Sequence, residues 1–313
     1  MRTSFLKTLT ELAASDPLVT LIVGDLGFSV IEEFAQTFPN QFVNAGVAEQ
    51  NMTGLAAGMA LSGRVVFTYS IGNFPVLRCL EQIRNDVCYH QANVKIVCVG
   101  GGLSYGNLGF SHHATEDLAI MRALPGMVVL APGDPVEAEC ATRALASYEG
   151  PAYLRLGRAG EPAVHTDRPD FRLGRAIVVR SGTEITLIST GAMLPSTCLL
   201  ADRLTERGLS VRVLSMHTLQ PLDQAAVVRA ATETRLVVTL EEHSIKGGLG
   251  GAVAEVMAEL PKSSAVLKRL GLRRDFSPEV GDQRHLQHIH GIDVDGLERD
   301  LNPVLIGALP FVG

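Results

Sequence analysis

The stretch that decides the fold is Gly46–Leu61, with the sequence GVAEQNMTGLAAGMAL, which follows the short apolar run Gln41–Ala45. The apolar run predicts a strand, and the longer stretch predicts the first turns of a helix. Gly54 and Gly58 lie four residues apart, with alanines between them. This spacing places both glycines on one helix face, where a second backbone can approach closely. We therefore expect a strand that leads directly into a tightly packed helix.

A single carboxylate, Glu49, stands at the junction of this strand and helix. The residues alone leave two interpretations open. An acidic residue in the first turn interacts favourably with the helix dipole, a contribution of about a few tenths of a kcal/mol. Alternatively, Glu49 is a buried carboxylate that handles a proton.

The run GVAEQNM at Gly46–Met52, followed by AAG ending at Gly58, resembles the pyrimidine-domain signature of the transketolase family of thiamin diphosphate enzymes. The family includes transketolase, 1-deoxyxylulose-5-phosphate synthase and the beta subunits of 2-oxoacid dehydrogenases. The resemblance implies that Glu49 hydrogen-bonds a ring nitrogen of the cofactor's aminopyrimidine and favours its imino form, which takes the proton from the thiazolium carbon. In such enzymes the cofactor performs the carbon–carbon bond chemistry, and the protein orients and polarises it.

Length and composition limit the class of protein. At 313 residues, the chain suggests two domains of about 150 residues each. A net charge of −6 argues against binding to nucleic acid or to an anionic membrane surface. No apolar run reaches membrane-spanning length. The five cysteines contain no CxxC pair, so we expect reduced thiols and a cytoplasmic protein.

Apolar, β-rich runs alternate with helical stretches along the chain, which predicts an α/β protein with two parallel-sheet domains. We predict a first domain over residues 1–160, a polar linker over 161–173 and a second domain over 174–313. The resemblance identifies these as a thiamin diphosphate pyrimidine-binding domain and a transketolase C-terminal domain. Within the first domain, Phe74–Gln91 is predicted to be one helix.

Two polar residues follow the first predicted strand, Leu18–Val23, in the sequence GDLGFS. Ligands in parallel α/β proteins bind at the carboxyl ends of strands, although Gly-Asp is also ordinary for a simple turn. The resemblance implies that Asp25 lies near the thiazolium and that Ser29 contacts a sugar phosphate.

An aromatic ring is expected to stack on the aminopyrimidine, a contact worth about 0.5–1.5 kcal/mol beyond the burial of area. Phe74 fits the family pattern best. Tyr69 is the alternative, because this segment differs slightly in length from that of familiar relatives. A core position for Phe74 is a further possibility.

The glycine-rich segment Gly100–Asp117 contains Gly109-Phe-Ser-His112, which resembles the family's Gly-x-Thr-His. The resemblance implies that His112 faces the reacting carbon and exchanges protons with substrate hydroxyls, a task suited to histidine. Leu108 stands where typical transketolases have an aspartate, which implies altered contacts with the donor sugar. We do not expect a metal site here, because the adjacent histidines His112 and His113 point in different directions.

Charged residues in two other segments also resemble parts of the family. The run Pro151–Arg158 resembles a family segment whose last arginine binds substrate phosphate, a role that suits bidentate guanidinium hydrogen bonds; a solvated loop arginine is the alternative for Arg158. Glu241, Glu242 and His243 lie in a segment that resembles the signature of the C-terminal domain. We assign no catalytic role to these three.

One part of a family enzyme is missing from the sequence. The diphosphate-binding signature, Gly-Asp-Gly followed further on by Asn-Asn, does not occur. The resemblance therefore implies the C-terminal subunit of a split transketolase, with thiamin diphosphate bound between it and an N-terminal, diphosphate-binding subunit that holds Mg²⁺. We expect an α2β2 heterotetramer that transfers a two-carbon ketol unit from a phosphorylated ketose to an aldehyde. The alternatives are a decarboxylating relative, either 1-deoxyxylulose-5-phosphate-synthase-like or a 2-oxoacid dehydrogenase beta subunit, and a non-catalytic assembly subunit.

Overall fold

The computed structural model describes residues 1–261, 265–273 and 276–308. Two β-sheets and their helices make up this part of the chain. The strands are β1 (Val19–Val23), β2 (Phe42–Asn44), β3 (Val65–Ile71), β4 (Val94–Val99), β5 (Val128–Leu130), β6 (Ala152–Leu156), β7 (Ile177–Arg180), β8 (Ile185–Ser189), β9 (Val211–Ser215), β10 (Thr218–Gln220), β11 (Leu236–Ser244) and β12 (Val266–Leu272). The α-helices are α1 (Arg2–Ser15), α2 (Glu32–Thr37), α3 (Glu49–Leu61), α4 (Leu80–Gln82), α5 (Asp117–Arg122), α6 (Pro135–Ala146), α7 (Leu194–Glu206), α8 (Gln224–Glu233), α9 (Leu249–Ala258), α10 (Gln283–Ile289) and α11 (Val294–Ala308).

The strands of both sheets are buried and mostly parallel. The first sheet has the order β10-β5-β6-β4-β3-β1-β2, and the second has the order β12-β11-β8-β9-β7. Every residue of β4 and of β8 is buried. Strands that are covered on both faces carry continuous apolar runs, and the sequence has such runs in both halves. The predicted fold of two α/β domains is confirmed.

Two edge strands depart from the predicted parallel sheets. β7 pairs antiparallel with β9 in the second sheet. β10 follows β9 in the chain but leaves the second sheet and pairs antiparallel with β5 of the first, with Thr218 opposite Leu130. Both sheets are therefore mixed. β10 has only three residues, and a strand of this length is too short to be recognised from an alternation of apolar and polar residues.

The prediction of one helix over Phe74–Gln91 is wrong at both ends, because residues 74–79 and 89–91 form turns. The backbone forms turns after Gly72, α4 begins at Leu80, and a π-helix follows over Ile83–Cys88. Pro75 cannot donate a backbone hydrogen bond, which favours turns at this point. The side chains of Phe74 and its near neighbours are thus presented by turns.

The face of α3 that carries Gly54 and Gly58 makes no close backbone contact within the described chain. A Cβ atom built on either glycine would meet no atom within 4 Å. The opposite face is buried through Met52, Ala56 and Ala60. The close approach predicted at the two glycines is therefore absent among the described residues.

Some expectations from composition can be compared with the structure. All five cysteines are free thiols, and three of them are buried. None of the helices in the described ranges combines the length and apolar character needed to cross a membrane. No group of three or more His, Cys, Asp or Glu residues within 1–261, 265–273 and 276–308 is arranged to hold a metal ion.

Candidate active site

Glu49 is a buried carboxylate with one cationic partner. It is the first residue of α3, and its side chain is 2% exposed. Arg78 donates a hydrogen bond from Nη1 to Oε2 of Glu49 at 2.6 Å. Gly24 at the end of β1 lies beside it, since a Cβ built there would be 3.6 Å from Cγ of Glu49. The carboxylate therefore lies at the carboxyl edge of the first sheet, where ligands bind in parallel α/β proteins.

Arg78 is a site residue that was not predicted from the sequence. Its side chain is 48% exposed, and its Cζ atom lies 5.2 Å from the centroid of the Phe74 ring. This distance is typical of a cation–π contact. The four-residue spacing between Phe74 and Arg78 would place the two side chains on one face of a helix. The structure forms turns at these positions instead. One guanidinium thus contacts both Glu49 and Phe74.

His112 joins the same group through Phe74. The two ring centroids are 5.1 Å apart with an interplanar angle of 74°, an edge-to-face contact. His112 is half-buried, and its Nδ1 atom lies 3.0 Å from Oγ of Ser111. The structure therefore brings together three of the predicted site residues in a continuous row of Glu49, Arg78, Phe74 and His112.

Tyr69 lies elsewhere, in the core. It is 2% exposed, and its ring is stacked on that of Phe5 at 6.2 Å and 9°. Burial raises the pKa of its hydroxyl well above the usual range. The alternative assignment of the stacking ring to Tyr69 therefore does not fit, and Phe74 stays the predicted ring.

Asp25 is held on the same sheet edge as Glu49. Its Oδ1 atom accepts a hydrogen bond from Nδ2 of Asn44 at 2.9 Å, and its own N–H donates to Oδ1 of Asn44 at 3.1 Å. The residue follows Gly24 directly, is exposed and has φ of 55°. Because Gly24 lies beside Glu49, the hydrogen bonds to Asn44 hold Asp25 at the same sheet edge as Glu49.

Ser29 and Arg158 lie apart from the row. Ser29 lines a groove of 370 Å³ together with Arg2 and Lys7 of α1. The guanidinium of Arg158 is exposed and lies 5.3 Å from the Tyr105 ring centroid. The Arg158 carbonyl accepts a hydrogen bond from the Arg2 N–H at 3.0 Å. The link from Arg2 to Arg158 is a backbone hydrogen bond, and no described hydrogen bond or ring contact joins Ser29 or Arg158 to the row.

Two family models match this chain. Residues 1–160 match the family model described as "Transketolase, pyrimidine binding domain", and residues 174–297 match "Transketolase, C-terminal domain". The chain belongs to the transketolase family. The resemblance inferred from the sequence is confirmed.

Several of the similar proteins are named as single subunits of a transketolase. The chain is 38% identical to a subunit of the apulose-4-phosphate transketolase of Phocaeicola vulgatus, over 95% of this chain and 94% of that protein. It is 35% identical to a subunit of the 6-deoxy-6-sulfo-D-fructose transketolase of Clostridium sp., over 97% of this chain and 94% of that protein. A solved structure described as a split gene transketolase, in an inactive β4 tetramer, has a TM-score of 0.87 and 36% identity, covering 98% of this chain and 97% of that one. The interpretation of the chain as one subunit of a split transketolase is confirmed.

In this transketolase subunit, a buried carboxylate of the second domain holds the loop that carries His112. Glu242 is 2% exposed. It accepts hydrogen bonds from the Leu103 N–H at 2.6 Å, from Gln283 at 2.9 and 3.0 Å, and from Gln287 at 2.5 Å. Burial raises the pKa of Glu242, and these hydrogen bonds oppose the rise. Glu242 therefore connects the two domains at the glycine-rich loop.

A second buried network reinforces the same contact. Nε of Arg155 lies 3.0 Å from Oδ2 of Asp117, and Nη2 of Arg155 donates to the carbonyls of Ala114 and Glu242 at 2.5 and 2.9 Å. Arg155 is 5% exposed and Asp117 is fully buried. A buried ion pair of this kind needs its remaining hydrogen bonds satisfied, and the two carbonyls contribute to this. These charges hold the fold together around the site.

The geometry of the row can be tested against the aminopyrimidine of thiamin diphosphate. The guanidinium of Arg78 is planar, donates to the Glu49 carboxylate and covers the Phe74 ring. A planar group with an N–H donor therefore fits between these two side chains. The residues present fit the aminopyrimidine that the family binds.

Proposed function

We propose that this chain is the pyrimidine-binding subunit of a two-subunit, thiamin-diphosphate-dependent transketolase. With a diphosphate-binding partner, it transfers a two-carbon ketol unit from a phosphorylated ketose to an aldehyde. The observation that carries the proposal is the row in which buried Glu49 and the Phe74 ring converge on one planar group, with His112 at the ring edge.

Three residues of this chain act at the cofactor. Glu49 shares a proton with a ring nitrogen of the aminopyrimidine, and its burial excludes water from that hydrogen bond. Phe74 fixes the plane of the ring by stacking. Asp25 contributes negative charge near the thiazolium. Thiamin diphosphate, when bound, supplies the carbanion chemistry that breaks and forms carbon–carbon bonds next to a carbonyl.

Other residues act on the substrate. His112 exchanges protons with the substrate hydroxyls next to the reacting carbon. Ser29 and Arg158 contact the substrate phosphate, as the family resemblance implies. The exposed Leu108 precedes His112 in the same loop, which favours a specialised sugar. The relatives named for apulose-4-phosphate and 6-deoxy-6-sulfo-D-fructose support a specialised substrate.

The partner supplies what this chain lacks. We propose that an N-terminal subunit binds the diphosphate and the Mg²⁺ ligands, and that two copies of each subunit form a cytoplasmic α2β2 heterotetramer. The relatives that are named as single subunits support this division. Residues 161–173 are proposed as the linker between the pyrimidine-binding domain and the C-terminal domain of this chain.

Calorimetry of thiamin diphosphate with Mg²⁺ tests the split site. We expect tight binding by the mixture of this chain with its partner and none by this chain alone. Tight binding by the lone chain would contradict the proposed division of the site.

Donor cleavage by the assembled complex tests the role of Glu49. Glu49→Ala should abolish turnover of phosphorylated ketoses, whereas Glu206→Ala, which changes an exposed glutamate of α7, should leave it unchanged. Turnover retained in Glu49→Ala would refute the assigned role. Release of carbon dioxide from pyruvate would instead indicate the decarboxylating alternative.

A further inference from the structure

Arg78 makes both contacts that the proposed function assigns to the aminopyrimidine. Its Nη1 atom donates to Oε2 of Glu49 at 2.6 Å. Its guanidinium covers the Phe74 ring at 5.2 Å from the centroid. Guanidinium and aminopyrimidine are both planar, nitrogen-rich groups that donate hydrogen bonds to carboxylates and stack on aromatic rings.

We propose that Arg78 is an internal stand-in for the aminopyrimidine, which occupies the place between Glu49 and Phe74 until the cofactor displaces it. The proposal rests on the proposed function, since it takes Glu49 and Phe74 as the contacts of the aminopyrimidine. Arg78 is thus a positioning residue that competes with the cofactor.

The unequal exposure of the two partners identifies the one that moves. Glu49 is 2% exposed, at the start of a 13-residue helix, so its backbone is held by the helix and its carboxylate has little access to water. Arg78 is 48% exposed and lies in the turns before α4. Its guanidinium can leave Glu49 and be hydrated with little rearrangement, because a half-exposed arginine already has access to water.

The stand-in also explains how the protein tolerates the buried Glu49 carboxylate before the cofactor binds. An unpaired charge inside a protein is strongly unfavourable. Arg78 supplies the compensating charge while the cofactor is absent, and the aminopyrimidine takes over the hydrogen bond when it binds. The measured affinity for the cofactor is then lowered by the fraction of molecules in which Arg78 occupies the place.

Calorimetry of thiamin diphosphate with Mg²⁺, in the complex of this chain and its partner subunit, tests the competition. We expect Arg78→Gln to bind about fivefold more tightly than wild type, the factor that corresponds to about 1 kcal/mol for a part-exposed ion pair. Arg84→Gln is the matched control, because Arg84 is exposed nearby and donates only to Asn85 in the described hydrogen bonds. It should bind like wild type.

Thermal unfolding of this chain alone gives a second readout that needs no cofactor. Arg78→Gln should lower the melting temperature, because it leaves Glu49 buried without a counter-charge, and the added change Glu49→Gln should restore it. Unchanged melting in Arg78→Gln would show that the pair is not formed in the isolated chain, and would overturn the proposal.

The binding results separate the possible failures. Weaker or unchanged binding by Arg78→Gln, with wild-type binding intact, overturns the stand-in and makes Arg78 a cofactor contact or a bystander. If Arg78→Gln does not fold, Arg78→Lys decides: it keeps the charge but loses the planar guanidinium, so tighter binding supports the proposal, and weaker or unchanged binding refutes it. Absence of binding by the wild-type complex refutes the proposed function itself.

Discussion

Replacement of Glu242 by alanine should destabilise the protein at the junction between its two domains. The carboxylate accepts hydrogen bonds from Leu103, Gln283 and Gln287. The two glutamines are only half-buried and can turn toward water, but Leu103 is 1% exposed and its N–H is left without an acceptor. One buried unsatisfied donor costs about 1–3 kcal/mol, and lost contacts add to it. We expect a loss of about 2–4 kcal/mol in the free energy of unfolding.

Urea unfolding, followed by circular dichroism, measures this loss, and hydrogen exchange at the Leu103 amide locates it. Glu242→Gln keeps one oxygen as an acceptor for Leu103, so it should lose only about 1 kcal/mol. Glu206→Ala changes an exposed glutamate of α7 and serves as the control. A Glu242→Ala protein within about 0.5 kcal/mol of wild type, with the Leu103 amide still protected, would refute the role assigned to this carboxylate.

Three other changes should have measurable effects. Burial raises the pKa of Glu241 from the ordinary 4.5 to about 7. Between these values the folded state keeps a proton that the unfolded chain releases, so the free energy of unfolding falls as pH rises. Glu241→Gln should flatten this pH dependence, measured by urea unfolding at several pH values. A hydrogen bond to Glu137 raises the pKa of His165 above 6.5. The contribution of this pair to the free energy of unfolding is therefore full below pH 6.5 and is lost as pH rises through the pKa of the folded state. His165→Gln should remove this pH dependence. Gly102 has φ of 66°, and a Cβ there would lie 2.5 Å from Oε1 of Glu242. Gly102→Ala should therefore lower the free energy of unfolding by about 1–3 kcal/mol. Gly58→Ala in the isolated chain should not lower it, because a Cβ at Gly58 meets no atom within 4 Å.

Much of the fold follows from local sequence. Uninterrupted apolar runs in both halves of the sequence indicate strands that are buried on both faces, and β4 and β8 are such strands. Glu49 was singled out because it stands where a strand meets a helix, and the structure buries it there. Local patterns of this kind can be recognised in the sequence without knowledge of tertiary contacts.

The parts that could not be predicted depend on contacts between distant segments. Arg78 reaches Glu49 across 29 positions of sequence, and Glu242 reaches Leu103 across 139. No spacing rule relates such residues, because their separation is set by how helices and sheets pack. Tyr69 and Phe74 show the same limit, since both are aromatic residues near the end of β3 and only packing reveals that Tyr69 belongs to the core.

The pairing of β10 with the first sheet affects how this protein folds during synthesis. A chain leaves the ribosome from its N-terminus, and domains generally fold as they emerge. The outer edge of β5 lacks its neighbour until Thr218–Gln220 have been synthesised. A fragment that stops before this point would present an unpaired strand edge, which is a template for aggregation. The pyrimidine-binding domain is therefore not a detachable module, and a truncation placed in the proposed linker would remove a strand from the sheet that it was meant to isolate.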